Sequence, residues 1–205
     1  MCFGVAGRIA PSRIEERAMN DFSMYDSALK AAGATLEDLG TVPHISRRDF
    51  DERPTFRFRA QVPCLEYISL LIENALLLRT HRAGRLYAGF QKLSRMEGVV
   101  DRYMRIADIS ERVYVFGEPD WCPPRHPNMR VIKLPANTAL AREWFVVADS
   151  PTLRCALLGV DEDGFATPVL EERTFRALKT HDPDTVRRLA AAAETLVDDS
   201  LNPCP

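Results

Sequence analysis

Two short stretches of this 205-residue sequence set a hydrogen-bonding side chain beside an aromatic one at the edge of an apolar run. Phe90-Gln91 closes the run Leu86–Gln91, and Glu143-Trp144 opens the run ending at Ala148. A carboxamide and a carboxylate at the ends of buried strands can orient a small ligand while the aromatic rings supply contact area. The same residues also fit a plainer reading, in which Phe90 and Trp144 are core side chains and Glu143 pairs with Arg142 or Arg173 at a strand edge. As a reacting group, Glu143 would serve as general acid or base in a small-molecule enzyme.

Other candidate chemistry lies further apart. The opening Met-Cys-Phe-Gly-Val is similar to the start of glutamine amidotransferases that use an N-terminal cysteine as nucleophile. The chain contains no Asn-Gly pair for the oxyanion hole, so Cys2 is expected to be an arm cysteine without a catalytic role. Cys122 and His126 share a loop, but Cys155, His44, His81 and His181 are distant in sequence and no Cys-x-x-Cys spacing exists, so no metal site is expected. No cofactor is named by any residue pattern. Arginines cluster at 47–48, 79–85 and 187–188. Cations in 79–85 would follow the C-terminal end of a helix, where its dipole favours them, and no Gly-rich phosphate cradle accompanies them. Neither a Gly-Gly-Asp-Glu-Phe cyclase signature nor a Gly-x-Ser-x-Gly elbow is present.

With 46% hydrophobic and 27% charged residues the composition is that of a globular protein. A net charge of -2 gives no reason to expect direct nucleic-acid binding. The longest apolar run, Tyr67 to Leu78, is interrupted by Ser69, Glu73 and Asn74 and is too short to span a bilayer. Five scattered cysteines and the lack of a secretory-type leader point to the cytoplasm.

The elements that must position these residues follow from periodicity. Residues 1–20 read as an arm. Apolar positions Met24, Ala28, Leu29 and Ala32 predict a helix over 23–32, stopped at Gly33. Thr35 to Leu39 reads as a second helical turn and Arg47 to Arg53 as a charged connector. Thr55–Arg59 alternates as a strand. Ile68, Leu71, Ile72, Ala75 and Leu78 form the apolar stripe of a helix over 65–79. Strands are predicted at 86–91, 112–116, 129–134, 144–148 and 154–160, with a helix over 95–109. Residues 118–127 hold four prolines and must be a loop. Asp161 to Gly164 is expected to turn a hairpin into a strand over 165–170. Residues 174–179 are assigned to a helix, and Asp182-Pro183 opens a last one as N-cap and first residue. The sum is an α/β protein: a mixed central sheet flanked by helices in a single domain over 55–198, preceded by an N-terminal helical arm (1–54) and followed by a tail (199–205).

In order and approximate spacing the chain resembles the DICT family, sensory modules of signalling proteins. The residues that carry the likeness are Ile72-Glu73, Phe90-Gln91, Tyr103, Val115-Phe116-Gly117, Glu143-Trp144, and Arg173-Thr-Phe175 before Asp182-Pro183, spread over about 55–198. The resemblance implies a non-catalytic sensory protein whose output passes through a signalling or regulatory partner. It assigns the ligand-binding site to Phe90, Gln91, Tyr103, Gly117, Glu143, Trp144 and Arg173. A homodimer through the exposed side of helix 65–79 or 183–198 is the alternative interaction reading.

Overall fold

The computed structural model describes residues 22–33, 36–78, 83–164, 167 and 169–201. One eight-stranded sheet organises them. In chain order the strands are β1 (Glu37–Thr41), β2 (Thr55–Gln61), β3 (Arg85–Lys92), β4 (Arg112–Glu118), β5 (Met129–Lys133), β6 (Glu143–Ser150), β7 (Leu153–Asp161) and β8 (Thr174–Thr180). They lie side by side as β1-β2-β8-β7-β6-β3-β4-β5. The pairs β1–β2, β3–β4 and β4–β5 run parallel and the other four antiparallel, so the sheet is mixed as expected.

The helices are α1 (Met24–Ala32), α2 (Arg47–Glu52), α3 (Val62–Leu77), α4 (Val100–Ile109) and α5 (Pro183–Leu201). Helix α3 and α4, with the 3-10 turn Leu93–Val99, cover one face of the sheet, and α1 and α5 cover the other. Central strands are therefore buried on both sides, and successive residues of one strand enter different cores. On β3, Leu86 and Ala88 enter the core under α3, and Tyr87 enters the core under α5.

Most predicted elements are present with shifted ends, including the fold class. Three local assignments are corrected. Residues 37–41 form edge strand β1 rather than a helical turn, because pairing with β2 supplies the hydrogen bonds that a single turn would lack. The charged connector is helix α2, capped by the Ser46 side chain on Asp49 N–H and laced by the i,i+4 pairs Arg47–Asp51 and Arg48–Glu52. Residues 174–180 are strand β8, not helix: Phe175, Ala177 and Lys179 alternate toward one face, and the strand lies between β2 and β7. The predicted helix 95–109 begins as a 3-10 turn and becomes α-helical only at Val100. The arm over 1–20, Thr35, most of 79–85, the tail residues 202–205, and Phe165, Ala166 and Pro168 of the expected hairpin strand lie outside the described residues. Leu170 itself starts a 3-10 turn, Leu170–Glu172.

Lys179 fastens the N-terminal elements to the sheet. It is 0% exposed, and its Nζ donates to the carbonyls of Phe50 at 2.6 Å and Arg53 at 2.7 Å while sitting 4.8 Å from the Phe50 ring centroid. A cation there meets the C-terminal end of α2, which favours positive charge. In the opposite core, Gly89 leaves room for the ring of Phe145, since a Cβ at Gly89 would lie 2.2 Å from it. That ring packs on Phe116 and is fully buried, so it cannot simply step aside. Gly89→Ala is expected to destabilise the fold by about 1–3 kcal/mol, read as a lower urea midpoint with an unchanged m-value. An unaltered midpoint would show that this core yields freely.

Candidate functional site

A cavity of about 310 Å³ opens between the sheet and the α3–α4 layer. Its walls include Phe90 and Trp144 from β3 and β6, Ser69 and Glu73 from α3, Tyr103 from α4, and Arg95 from the 3-10 turn. The Phe90 and Tyr103 rings meet edge-on at 5.2 Å. The indole Nε1 of Trp144 donates to Ser69 Oγ at 3.1 Å, so the ring is fixed by a bond to the facing helix. An apolar cavity with a few converging polar groups has the ordinary form of a small-molecule site.

Glu73 is its most unusual group. The side chain is 4% exposed, accepts from the Tyr103 hydroxyl at 3.0 Å, and lies 3.5 Å from Arg102 Nε. Burial pushes its carboxyl up to about 7, against the opposing effects of the Tyr103 bond and Arg102. The sequence pointed to Ile72-Glu73 only as a family landmark. Its position on the apolar stripe of α3 was the available signal, since a carboxylate on a buried helix face requires a partner.

Behind the cavity lies a polar cluster built around Gln91. This residue stands in the β-bulge where the β3–β4 register shifts, and at φ 62° it is the one non-glycine with positive φ among the described residues. Its amide Nε2 donates to the Arg142 carbonyl at 2.8 Å and to Asp161 Oδ2 at 3.3 Å, and its Oε1 accepts from Arg95 Nη1. Arg173, 2% exposed, pairs with Asp161. Burial, and then repulsion from Arg95 and Arg142, act against the Arg173 charge, and Asp161 is its counter-ion.

Of the expected site residues, Phe90, Tyr103 and Trp144 therefore meet in the cavity, and Gln91 and Arg173 lie in the cluster behind it. The other two are elsewhere. A Cβ at Gly117 would lie 3.0 Å from Leu93 N, so this glycine allows the 3-10 turn to close on β4. Glu143 points to the opposite face, because it neighbours Trp144 on one strand. Its Oε1 accepts from Ser23 Oγ at 2.5 Å and its Oε2 from the N–H groups of Met24 and Tyr25 at 3.1 and 3.3 Å. Glu143 thus closes the N-terminus of α1, where a helix favours negative charge. Burial nonetheless pushes its carboxyl up to about 8, opposed by those three bonds.

A second hollow, of about 730 Å³ and more open, lies along the proline-rich loop and is lined by Trp121, Cys122 and His126 among others. His126 accepts from Asn128 N–H at Nδ1 and faces Asp108 through Nε2 at 3.1 Å, which ties the loop to α4. Among the described residues no group of three or more His, Cys, Asp or Glu side chains is arranged to hold a metal ion, and no helix is long and apolar enough to cross a membrane.

With this geometry in view, comparison with known families is informative. Residues 64–161 match the DICT family model, described as a sensory domain in diguanylate cyclases and two-component systems. Over that stretch the chain is similar to DICT sensory domains. The match runs from the start of α3 to the end of β7, so both walls of the cavity and most of the Gln91 cluster lie in the DICT region, whereas α1, α2, β1, β2, β8 and α5 lie outside it. No curated protein matches the sequence significantly. The crystal structure of polyphosphate kinase from Porphyromonas gingivalis is similar at TM-score 0.46 and 17% identity, over 69% of this chain and 23% of that one. The chain thus spans less than a quarter of that kinase.

The two raised carboxyls make stability depend on pH. Glu73 and Glu143 each bind a proton more readily folded than unfolded, so between their unfolded value near 4.5 and their folded values near 7 and 8 stability falls as pH rises. His181, pulled down by burial to about 4, has the opposite sign between about 4 and 6.5. The melting temperature is therefore expected to rise on acidification from pH 8 to about 6.5 and, with His181 offsetting one of the two carboxyls, to rise less steeply from there to about 4.5. Glu143→Gln should remove much of that slope, and an unchanged slope would show that Glu143 is ionised throughout.

Proposed function

We propose that the chain is a non-catalytic cytoplasmic sensor that binds a small molecule in the α3–α4 cavity and passes a conformational change to a regulatory partner. The match of residues 64–161 to the DICT model, a sensory domain of signalling proteins, supports this reading. The observation that carries the ligand reading is the cavity itself, where Trp144, Phe90 and Tyr103 surround a space of small-molecule size beside the polar groups of Glu73 and Ser69. A catalytic role for Glu143 is poorly supported, since all three of its donors come from the first residues of α1 and its carboxylate faces protein rather than the cavity.

Strand β6 offers a route for the signal. It carries Trp144 into the cavity and Glu143 into the cap of α1 on the other face. A ligand that shifts Trp144 works against that cap, provided it binds one of the two arrangements more tightly. Native mass spectrometry of protein purified from its own cells is expected to show a bound small molecule absent from the denatured mass. Adding that molecule to stripped protein should change hydrogen exchange at Met24 and Tyr25, and Trp144→Phe should weaken its binding with the fold retained. A bare chain that no small molecule stabilises against heat would overturn the ligand reading and leave protein partners as the input.

A further inference from the structure

The charge balance around Gln91 is uneven. Arg95, Arg142 and Arg173 gather there, and Asp161 is engaged by Arg173 and by the Gln91 amide. A Cβ at Gly164 would lie 3.1 Å from Arg142 Nη2, which places that guanidinium against the turn that follows Asp161. Among the described residues neither Arg95 nor Arg142 forms an ion pair. Arg142 is exposed and solvated. Arg95 is half-buried, lines the cavity, and donates its hydrogen bond to the neutral carboxamide oxygen of Gln91 rather than to an acid. Asp120 and Glu118 act on Arg95 only from beyond ion-pair distance, so burial of the cation prevails, and Gln91 holds it there from a backbone conformation that L-residues rarely adopt. Such local strain persists where the surroundings enforce it, and it concentrates at ligand sites.

Building on the cavity reading above, we propose that Arg95 is the anion-recognising residue of the cavity and that its ligand is a small organic carboxylate with an aromatic or branched aliphatic body. The guanidinium presents a planar fork that fits a carboxylate through two parallel hydrogen bonds. Phe90, Tyr103 and Trp144 supply the apolar walls for the body. Arg95 is the one cation in the described lining, beside Glu66 and Glu73, so a polyphosphate or a dicarboxylate would carry negative charge that no second cation there matches. Gln91 is a positioning residue: it touches Arg95, not the cavity.

The test uses the full chain and isothermal titration with phenylacetate, indole-3-acetate and 4-methylpentanoate, beside phenylacetamide and phenyl phosphate. At least one of the three carboxylates is expected to bind saturably, with phenylacetamide weaker than phenylacetate by about tenfold or more. Arg95→Gln should lose the same factor while its melting temperature holds or rises, because the variant removes a charge that burial disfavours. Arg95→Lys, which keeps the charge without the fork, should retain part of the affinity. Equal binding of the amide and the carboxylate, or full affinity in Arg95→Gln, would overturn the anion assignment and leave the cavity reading standing. Binding of phenyl phosphate alone, or of no carboxylate, would also overturn it.

Discussion

A sheet covered on both faces governs this structure. With α3 and α4 on one side and α1 and α5 on the other, the central strands have no wet face, so each residue along them is committed to one of two cores. Polar side chains are then confined to strand ends and to interruptions of the ladder. Gln91 sits at a bulge, Glu143 is the first residue of β6 and Asp161 the last of β7. These ends lie together because β3, β6 and β7 are neighbours in the sheet. The polar cluster of Gln91, Asp161 and Arg173 is thus a consequence of strand order, with Glu143 turned to the opposite face, and the cavity next to it lies between the sheet and the α3–α4 layer.

The buried charges are resolved in different ways. Lys179 satisfies helix carbonyls and stacks on Phe50, and it remains paired with backbone dipoles instead of an acid. Burial pulls it down to about 8, so the arrangement holds the N-terminal elements at a cost in electrostatic free energy that the aromatic rings and carbonyls only partly offset. Glu143 does the mirror-image task at the N-terminus of α1. Together the two residues fix the N-terminus of α1 to β6 and the C-terminal end of α2 to β8, so these helices, which the DICT region does not include, pack against the same sheet.

Much of the architecture was legible because its signals are local. The apolar stripe from Ile68 to Leu76, the Asp182-Pro183 start and the alternation of Thr55–Arg59 each determine an element with few neighbours involved. What was not legible depends on distant partners. Glu37–Thr41 has little apolar content and is a strand only because β2 is alongside it. Thr174–Thr180 contains Leu178 and Ala177 at spacings a helix would accept, and its alternation becomes meaningful once both faces are known to be buried. At the site, Phe90, Tyr103 and Trp144 were readable as large aromatics at element ends. Placing Glu143 with Trp144 in one pocket conflicted with strand geometry from the start, since adjacent strand residues face opposite ways. Gln91 escapes that rule only through its bulge, which no pattern in the sequence announces.

The same alternation limits how a signal can travel. A ligand in the α3–α4 cavity cannot touch α1 or α5, because the sheet lies between them. Close-packed interiors transmit displacement rather than absorb it, and strand β6 is shared by both sides within two successive residues. Trp144 is fixed to Ser69 on the cavity side, while Glu143 is fixed to Ser23, Met24 and Tyr25 on the other. A change in the tilt of that strand end must therefore be accommodated by one set of bonds or the other. The N-terminus of α1 is held by the Glu143 carboxylate, whose ionised form burial opposes, and by the Ser23 hydroxyl, which accepts from Asp26 N–H. The N-terminus of α1 is thus tied directly to the first residue of β6, one position from the residue that walls the cavity.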